Sequence, residues 1–374
     1  MIRIALHSLL FDRGKFIAAV GGVAFAGMLV LVECGVYVGF VRASSALIDQ
    51  VGGDAWVMGR GTRVIDTSPV LPGSTRGLVS EHPCVVKVRS VGYRYVKLRL
   101  EGKAELTAVL AGYEVDQSTL LPWSMIRGLP GDLHGPLRVT LDESDLGRLG
   151  LARDAVGSRL RINDRWVNVA GLTSGIKSFT LAPYLFAELP TLRHLAGLGS
   201  DEANFWVVDL KSPTCVDSLR AWVERHPALM LQTTAAFRSA SSAYWVWSSG
   251  AGPLLAGSAA LGLLVGSLIV AQSLYTLTKD HVREVAMLKT VGATRSELLR
   301  FVGWQALSLL FLGGGVGLGL AFITRHFAAA AGMAVILSPL VLIVGLGLIG
   351  LMCALASIAS LRLIARISPS EVFQ

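Results

Sequence analysis

Four stretches of this chain run for more than twenty residues with almost no charge. Gly250 to Thr278, Val302 to Thr324 and His326 to Leu361 contain no Asp, Glu, Lys or Arg, and Phe16 to Val41 contains only Glu33. Crossing ~30 Å of hydrocarbon takes about 20 apolar residues in a helix, because only a helix satisfies every backbone group within one segment. The runs therefore predict transmembrane helices at about 16–41, 250–276, 301–323 and 336–361. A mean hydropathy of +0.57 with 16% charged residues excludes an ordinary water-soluble protein, which would expose large apolar patches.

The charges collect elsewhere. Residues 42–249, between the first two spans, hold 23 Lys/Arg and 20 Asp/Glu, a normal soluble composition. Outside that domain the basic residues gather at Arg3, Arg13 and Lys15, at Lys279 to Arg300, and at Arg362 and Arg366, whereas the 324–335 loop carries only Arg325. The positive-inside rule then puts both termini and the 277–300 segment in the cytoplasm and leaves the long domain outside. This distribution explains the net charge of +8 without a nucleic-acid partner and points to membrane lipid. Residues 1–15, with Ile2, Leu6, Leu9 and Leu10 on one helical face, read as an interfacial helix.

The 277–300 segment is the most structured of the short connections. Asp280 to Val291 has helical spacing. Gly292 suits a helix stop, since only Gly takes the left-handed cap conformation without steric cost. Thr294 and Glu297 form a T-x-x-E capping box that opens the next helix. The pattern is a rigid amphipathic bar at the membrane face followed by a tight Gly-Ala hinge. An ordinary cytoplasmic connector has the same periodicity.

The string R-E-x-A-x-L-K-T-V-G-A-T-R, Arg283 to Arg295, resembles the coupling-helix segment of the FtsX/MacB superfamily of ABC transporter permeases, placed after the second of four spans as in that family. The resemblance implies docking to a separate cytoplasmic ABC ATPase subunit, with Arg283, Glu284, Leu288, Lys289, Gly292, Ala293 and Thr294 as the coupling residues. ATP and Mg would bind that partner, and no cofactor is expected on this chain. It also implies a bacterial inner membrane location, a periplasmic large domain and a second permease copy.

The external domain reads as mixed α+β. Strands are expected at Asp54–Met58, Val85–Val91, Tyr93–Leu100, Leu106–Ala111, Leu137–Val139 and Phe205–Leu210, after a helix-like Arg42–Gln50. A hairpin is expected over 156–171 with its turn at Asn163-Asp164. Helices are expected from Asp142 to Leu149, over Pro183–Leu195 and over Thr214–Glu224. The acidic run Asp142-Glu143-x-Asp145 fits a first helical turn better than a cation site. The element order is similar to the extracytoplasmic domain of MacB-like permeases.

Tyr244, Trp245 and Trp247, just before the second span, fit an outer-interface aromatic belt. The surrounding junction resembles that of DevC-type permeases, which implies a periplasmic membrane-fusion adaptor, an outer-membrane channel and a lipid-like cargo. The 362–374 tail, with Ile367-Ser368-Pro369, resembles the family's short cytoplasmic end. Glu33 is costly in lipid and should face protein or the outer interface. Ala18, Gly22 and Ala26 in span one, Ser258, Gly262 and Gly266 in span two, the G-x-x-x-G pairs of span three and Gly345, Gly347 and Gly350 in span four suit close helix packing. Cys84 and Cys215 share the external domain and are either bridged or two buried thiols. Cys34 and Cys353 fall within spans.

No P-loop, H-E-x-x-H or G-x-S-x-G motif and no metal-ligand spacing occur, so neither an ATPase nor a hydrolase is expected here. The expectation is a non-enzymatic permease subunit that couples a partner's ATP hydrolysis to movement of its periplasmic domain. Lipoprotein-release or FtsX-like cell-wall-regulating permeases are the alternatives within the family. A membrane-anchored receptor or scaffold is the alternative of another class.

Overall fold

The computed structural model describes residues 13–99, 104–114, 122–178, 180, 182–280, 295–330 and 333–366. Two compact units emerge. One is Met1–Gly39 with Gly252–Ala328 and Val335–Gln374; the other is Phe40–Ala251 with Ala329–Ala334. The first helix, α1 (Arg13–Val51), is one uninterrupted element. It absorbs the polar Arg42–Gln50 segment because backbone hydrogen bonding does not stop where hydrophobicity does. Residues 1–12 of the expected interfacial helix lie outside the described residues.

The sheet unit contains β1 (Ala55–Gly59), α2 (Ser74–Ser80), β2 (Val85–Arg99), β3 (Leu106–Tyr113), β4 (Met125–Arg127), β5 (Arg138–Asp142), α3 (Glu143–Leu149), β6 (Arg159–Ile162), β7 (Arg165–Thr173), β8 (Tyr184–Glu188), α4 (Leu189–Ala196), β9 (Phe205–Leu210), α5 (Val216–Val223), β10 (Leu229–Thr233) and α6 (Thr234–Ala243). The strands form one mixed sheet of order β10-β1-β9-β2-β6-β7-β4; β3 lies on β2 and pairs β8, while β5 pairs β7. Pairing is antiparallel except at β3·β8 and β5·β7.

The long strand β2 is the axis of the sheet. Its first half pairs β9, and Val91 to Leu98 pair β3. The expected break at Gly92 does not occur. Gly92 sits opposite Gly112 of β3, and a Cβ on either would meet Leu192 of α4 at 2.9 and 2.7 Å. The glycines make room for a helix, which outweighs their poor strand propensity.

The expected helix over Pro183–Leu195 is corrected too. Tyr184 to Glu188 form a strand, and the helix starts at Leu189 with Pro190 in its first turn. Tyr184, Leu185, Phe186 and Ala187 are all buried, so both strand faces are apolar and alternation gives no signal. The hairpin turn is as read: Asn163 and Asp164 have φ of +43° and +66°, the pair of positive values a type I′ turn requires. α3 likewise has Asp142 as its N-cap and Gly150 in the left-handed conformation after it. β4, β10, α2 and α6 have no counterpart in the sequence reading.

The helical unit holds the rest of α1 with α7 (Ala251–Asp280), α8 (Arg295–Ala330) and α9 (Pro339–Arg366). Among the described residues, four helices are long and apolar enough to cross a membrane. This is the helical membrane architecture with an inserted α+β domain that the charge pattern requires. Its closest approaches use the small residues of the sequence. Gly313 and Gly317 of α8 lie against Val23 and Ala24 of α1, and a Cβ on Gly317 would stand 2.6 Å from the Ala24 carbonyl oxygen. Gly266 of α7 meets Ala26, and Gly345 of α9 meets Leu31. Gly315, Gly319 and Gly347 touch nothing. The Gly313/Gly317 pair is thus a helix seam and the Gly315/Gly319 pair is not.

Candidate functional site

All seven expected coupling residues, Arg283, Glu284, Leu288, Lys289, Gly292, Ala293 and Thr294, lie outside the described residues. The flanks are described: α7 ends at Asp280, and α8 begins at Arg295, directly after the expected cap at Thr294.

The aromatic segment that follows the sheet is built in detail. Thr233 caps α6 by accepting from the Ala236 N–H at 3.2 Å. Phe237 anchors that helix by packing on Trp56 and Phe205, with ring centroids 5.4 and 5.7 Å away. Tyr244–Ser248 then widen into a π-turn, with the Ser249 N–H bonded to the Tyr244 carbonyl, and Gly250 takes φ +78° immediately before α7. Such wide turns cost regular hydrogen bonding and recur at functional positions. The same segment is tied to the end of α1: Ser241 Oγ donates to the Ser44 carbonyl at 2.9 Å, and Arg238 pairs with Asp49.

Within this turn the three expected belt residues have separate fates. Trp247 is 70% exposed, Tyr244 is intermediate, and Trp245 is partly buried toward Asp66. The Asp66 carboxylate accepts from Tyr93 Oη at 2.7 Å and Tyr95 Oη at 2.8 Å on one oxygen, and the Trp245 indole N–H also stabilises its charge. Burial nevertheless outweighs these donors and raises the Asp66 pKa. The Tyr95 phenol is pushed up to about 12 by burial and then by Asp66. This cluster fastens Asp66 to β2 through Tyr93 and Tyr95. It has no nucleophile and no acid–base pair poised for chemistry. Sequence reasoning missed Asp66; the Tyr93-x-Tyr95 repeat, two large phenols on one strand face, was the available signal.

Asp142 is fully buried and satisfied. It accepts from the Ser144 N–H and Oγ, from Thr173 Oγ1 and from the Ile176 N–H at 2.6 to 3.2 Å. It caps α3, one position before the first turn in which the sequence placed it. Asp145 beside it is pushed up to about 6, by burial and then by the Asp142 charge, with Arg148 at 3.3 Å opposing. Burial lowers Lys177, whose Nζ donates to the Ala329 carbonyl at 2.7 Å. The described residues contain no group of three His, Cys, Asp or Glu able to hold a metal. Cys84 and Cys215 form a disulfide with Cα atoms 5.9 Å apart, which settles the choice left open by the sequence. The basic run over Lys87–Arg99 is largely paired within the sheet: Arg89 with Asp209, and Lys97 and Arg99 with Glu105.

Glu33 lies in the helical unit on the wall of an open cleft of about 290 Å³ between α1, α7 and α9. Its neighbours there include Cys34, Tyr37, Leu255, Ala259, Val341 and Val344. No described residue offers it a hydrogen bond or an ion pair.

Residues 256–369 match the family model described as FtsX-like permease C-terminal. No curated protein matches the chain. Among solved structures, the periplasmic region of MacB from Actinobacillus actinomycetemcomitans is similar at 18% identity, TM-score 0.39, over 51% of this chain and 94% of that one. The extracellular domain of the noncanonic ABC-type transporter YknZ from Gram-positive bacteria is similar at 11% identity, TM-score 0.36, over 49% and 99%. A domain of a putative permease protein from Porphyromonas gingivalis is similar at 16% identity, TM-score 0.31, over 50% and 90%.

Proposed function

We propose that this chain, which belongs to the FtsX/MacB superfamily through its FtsX-like permease C-terminal domain, works as the permease subunit of an ABC transporter and transmits motion. The observation that carries the reading is the family match over 256–369, which spans α8, most of α7 and α9, and the segment expected to dock the motor. ATP-driven closure of a cytoplasmic ATPase would press on Arg283 to Thr294. The displacement would travel outward along α1 and α7, the two helices that lead in sequence into and out of the sheet unit. The ties between α1 and α6 support such a path because they join the chain's entry into the sheet unit to its exit. A dimer supplies two docking bars for two ATPases. A periplasmic adaptor with an outer-membrane channel, and a hydrophobic cargo, complete the proposal.

Affinity purification from native membranes, followed by mass spectrometry, tests it. An ATPase with an adaptor is the expected result. An ATPase alone shifts the reading to lipoprotein release or cell-wall regulation, and neither protein, with the ATPase present in the lysate, overturns it in favour of a receptor or scaffold. Gly292→Val should leave the chain in the membrane and uncouple transport from ATP hydrolysis. Unimpaired transport by that variant refutes the hinge role.

A further inference from the structure

The last turns of β2 show two unlike faces of the sheet. Val96 and Leu98 are buried with Leu160, Ile162 and Val167, whereas Lys97 and Arg99 are exposed on the opposite face. Across that outer face Arg99 stands directly opposite Arg161 of β6, and Arg161 directly opposite Trp166 of β7. Arg159, exposed and two residues along β6, stands opposite the exposed Asn168. Like charges directly opposite one another destabilise a sheet. Yet Arg99 and Arg161 share one rung. Trp166 beside them is 51% exposed, with no ring or guanidinium of a described residue stacked on it. Carboxylates do not cancel the charge. Glu105 serves both Lys97 and Arg99, each at 3.0 Å, and Asp164 reaches Arg161 at 3.5 Å. Arg159 pairs with no carboxylate among the described residues. The surplus is felt at Glu105, whose carboxyl is held below its usual value, first by its contact with Lys97.

We propose that this outer face binds an acidic polysaccharide, with a pyranose ring stacked on Trp166 and the carboxylates of neighbouring sugar residues held by Arg161, Arg99 and Arg159. A guanidinium fork meets a carboxylate with two parallel hydrogen bonds, which a lysine cannot do. The indole offers a flat apolar surface to the C–H face of a sugar ring, and the Asn168 amide offers both a donor and an acceptor to hydroxyls. Neighbouring strands lie about 4.8 Å apart, close to the advance of one pyranose residue in an extended glycan. Successive residues laid across β7, β6 and β2 therefore meet Trp166, Arg161 and Arg99 in turn. Exposed side chains on a sheet face suit such an extended polymer, whereas a small molecule needs a concave site to bury it. An acidic peptide would answer the arginines but carries no ring for Trp166. The face is also remote from the chain's entry into the sheet unit: from Arg89, which donates to the Val51 carbonyl at 2.9 Å, β2 runs about 33 Å to Arg99.

The test titrates the full chain, in phosphatidylcholine nanodiscs, with oligogalacturonate by isothermal calorimetry. Wild type should bind it, more weakly as salt rises. Trp166→Ala should lower the affinity about tenfold or more, as expected for an aromatic anchor at the centre of a contact. Arg99→Gln combined with Arg161→Gln should abolish binding and leave the unfolding midpoint unchanged or higher, because the like-charged rung is gone. A merely misfolded variant would lower that midpoint. No binding by wild type, or equal affinity of wild type and Trp166→Ala, overturns the proposal. Neutral dextran bound as tightly as oligogalacturonate overturns it too, since the arginines would then have no part. Polyglutamate bound as tightly overturns it in favour of an acidic protein surface. Displacement of oligogalacturonate by phosphatidylglycerol vesicles overturns it in favour of a lipid headgroup.

Discussion

In the sheet unit the largest side chains are the most buried. Trp56, Trp206, Phe186, Phe205 and Phe237 are all under 2% exposed. In the helical unit Phe311, Leu254 and Phe327 are 75%, 74% and 69% exposed, and the tightest approaches belong to Gly313 and Gly317. Both units are rich in apolar residues; what differs is the solvent each presupposes. Water expels large apolar groups, so the sheet unit fills its interior with them. Lipid does not, so helices there gain by close backbone contact, and small residues serve the seam while large ones face outward. The sheet unit also holds its shape by chemistry that the helical unit lacks among the described residues: a disulfide and buried carboxylates.

That contrast is easiest to break at Gly317. Gly317→Leu should abolish the monodisperse, detergent-extracted protein, because its Cβ would meet a backbone oxygen at 2.6 Å that no rotamer change can move. Gly315→Leu, where nothing lies within 4 Å, should stay within about 0.5 kcal/mol of wild type in denaturant unfolding. Similar behaviour of the two variants would mean that the seam is not a packing interface.

Redox should move only the sheet unit. Cys84→Ser opens a link between residues 131 apart and should cost that unit about 2–4 kcal/mol. Limited proteolysis should show faster cleavage within 40–251 and an unchanged rate in 252–328. A reducing agent should reproduce the effect in wild type and add nothing to the variant.

A smaller effect tests the buried acid. The pKa of Asp145 is pushed up to about 6 from the ordinary 3.8, so the folded state holds its proton more tightly than the unfolded chain. The contribution favours folding below pH ~4 and is lost as pH rises through about 6. Asp145→Asn should therefore be more stable than wild type by roughly 1–3 kcal/mol at pH 7.5, with the difference vanishing near pH 4. Unfolding midpoints at the two pH values check this; a pH-independent difference would assign the effect to the Arg148 contact instead.

What was legible in the sequence rests on local rules. The helix start at Asp142, the turn at Asn163-Asp164 and the placement of Glu33 in the first span each follow from a few adjacent residues. The Tyr184 strand was not legible, since its partner β3 lies some seventy residues earlier and only the pairing tells a buried strand from a buried helix. Trp245 illustrates the same limit: an aromatic before an apolar run fits a lipid belt, and only the fold brings Asp66 beside it while leaving Trp247 exposed.

The sequence by itself determined the four membrane-length helices and the inserted, normally charged domain, because charge and hydropathy act over contiguous residues and lipid tolerates few exceptions. Tertiary structure alone decided which glycines form the seam, that Cys84 and Cys215 are joined, and that Glu33 borders an apolar cleft without a partner among the described residues. Each of those depends on residues far apart in the chain meeting in space, and no local pattern encodes where a distant segment will lie.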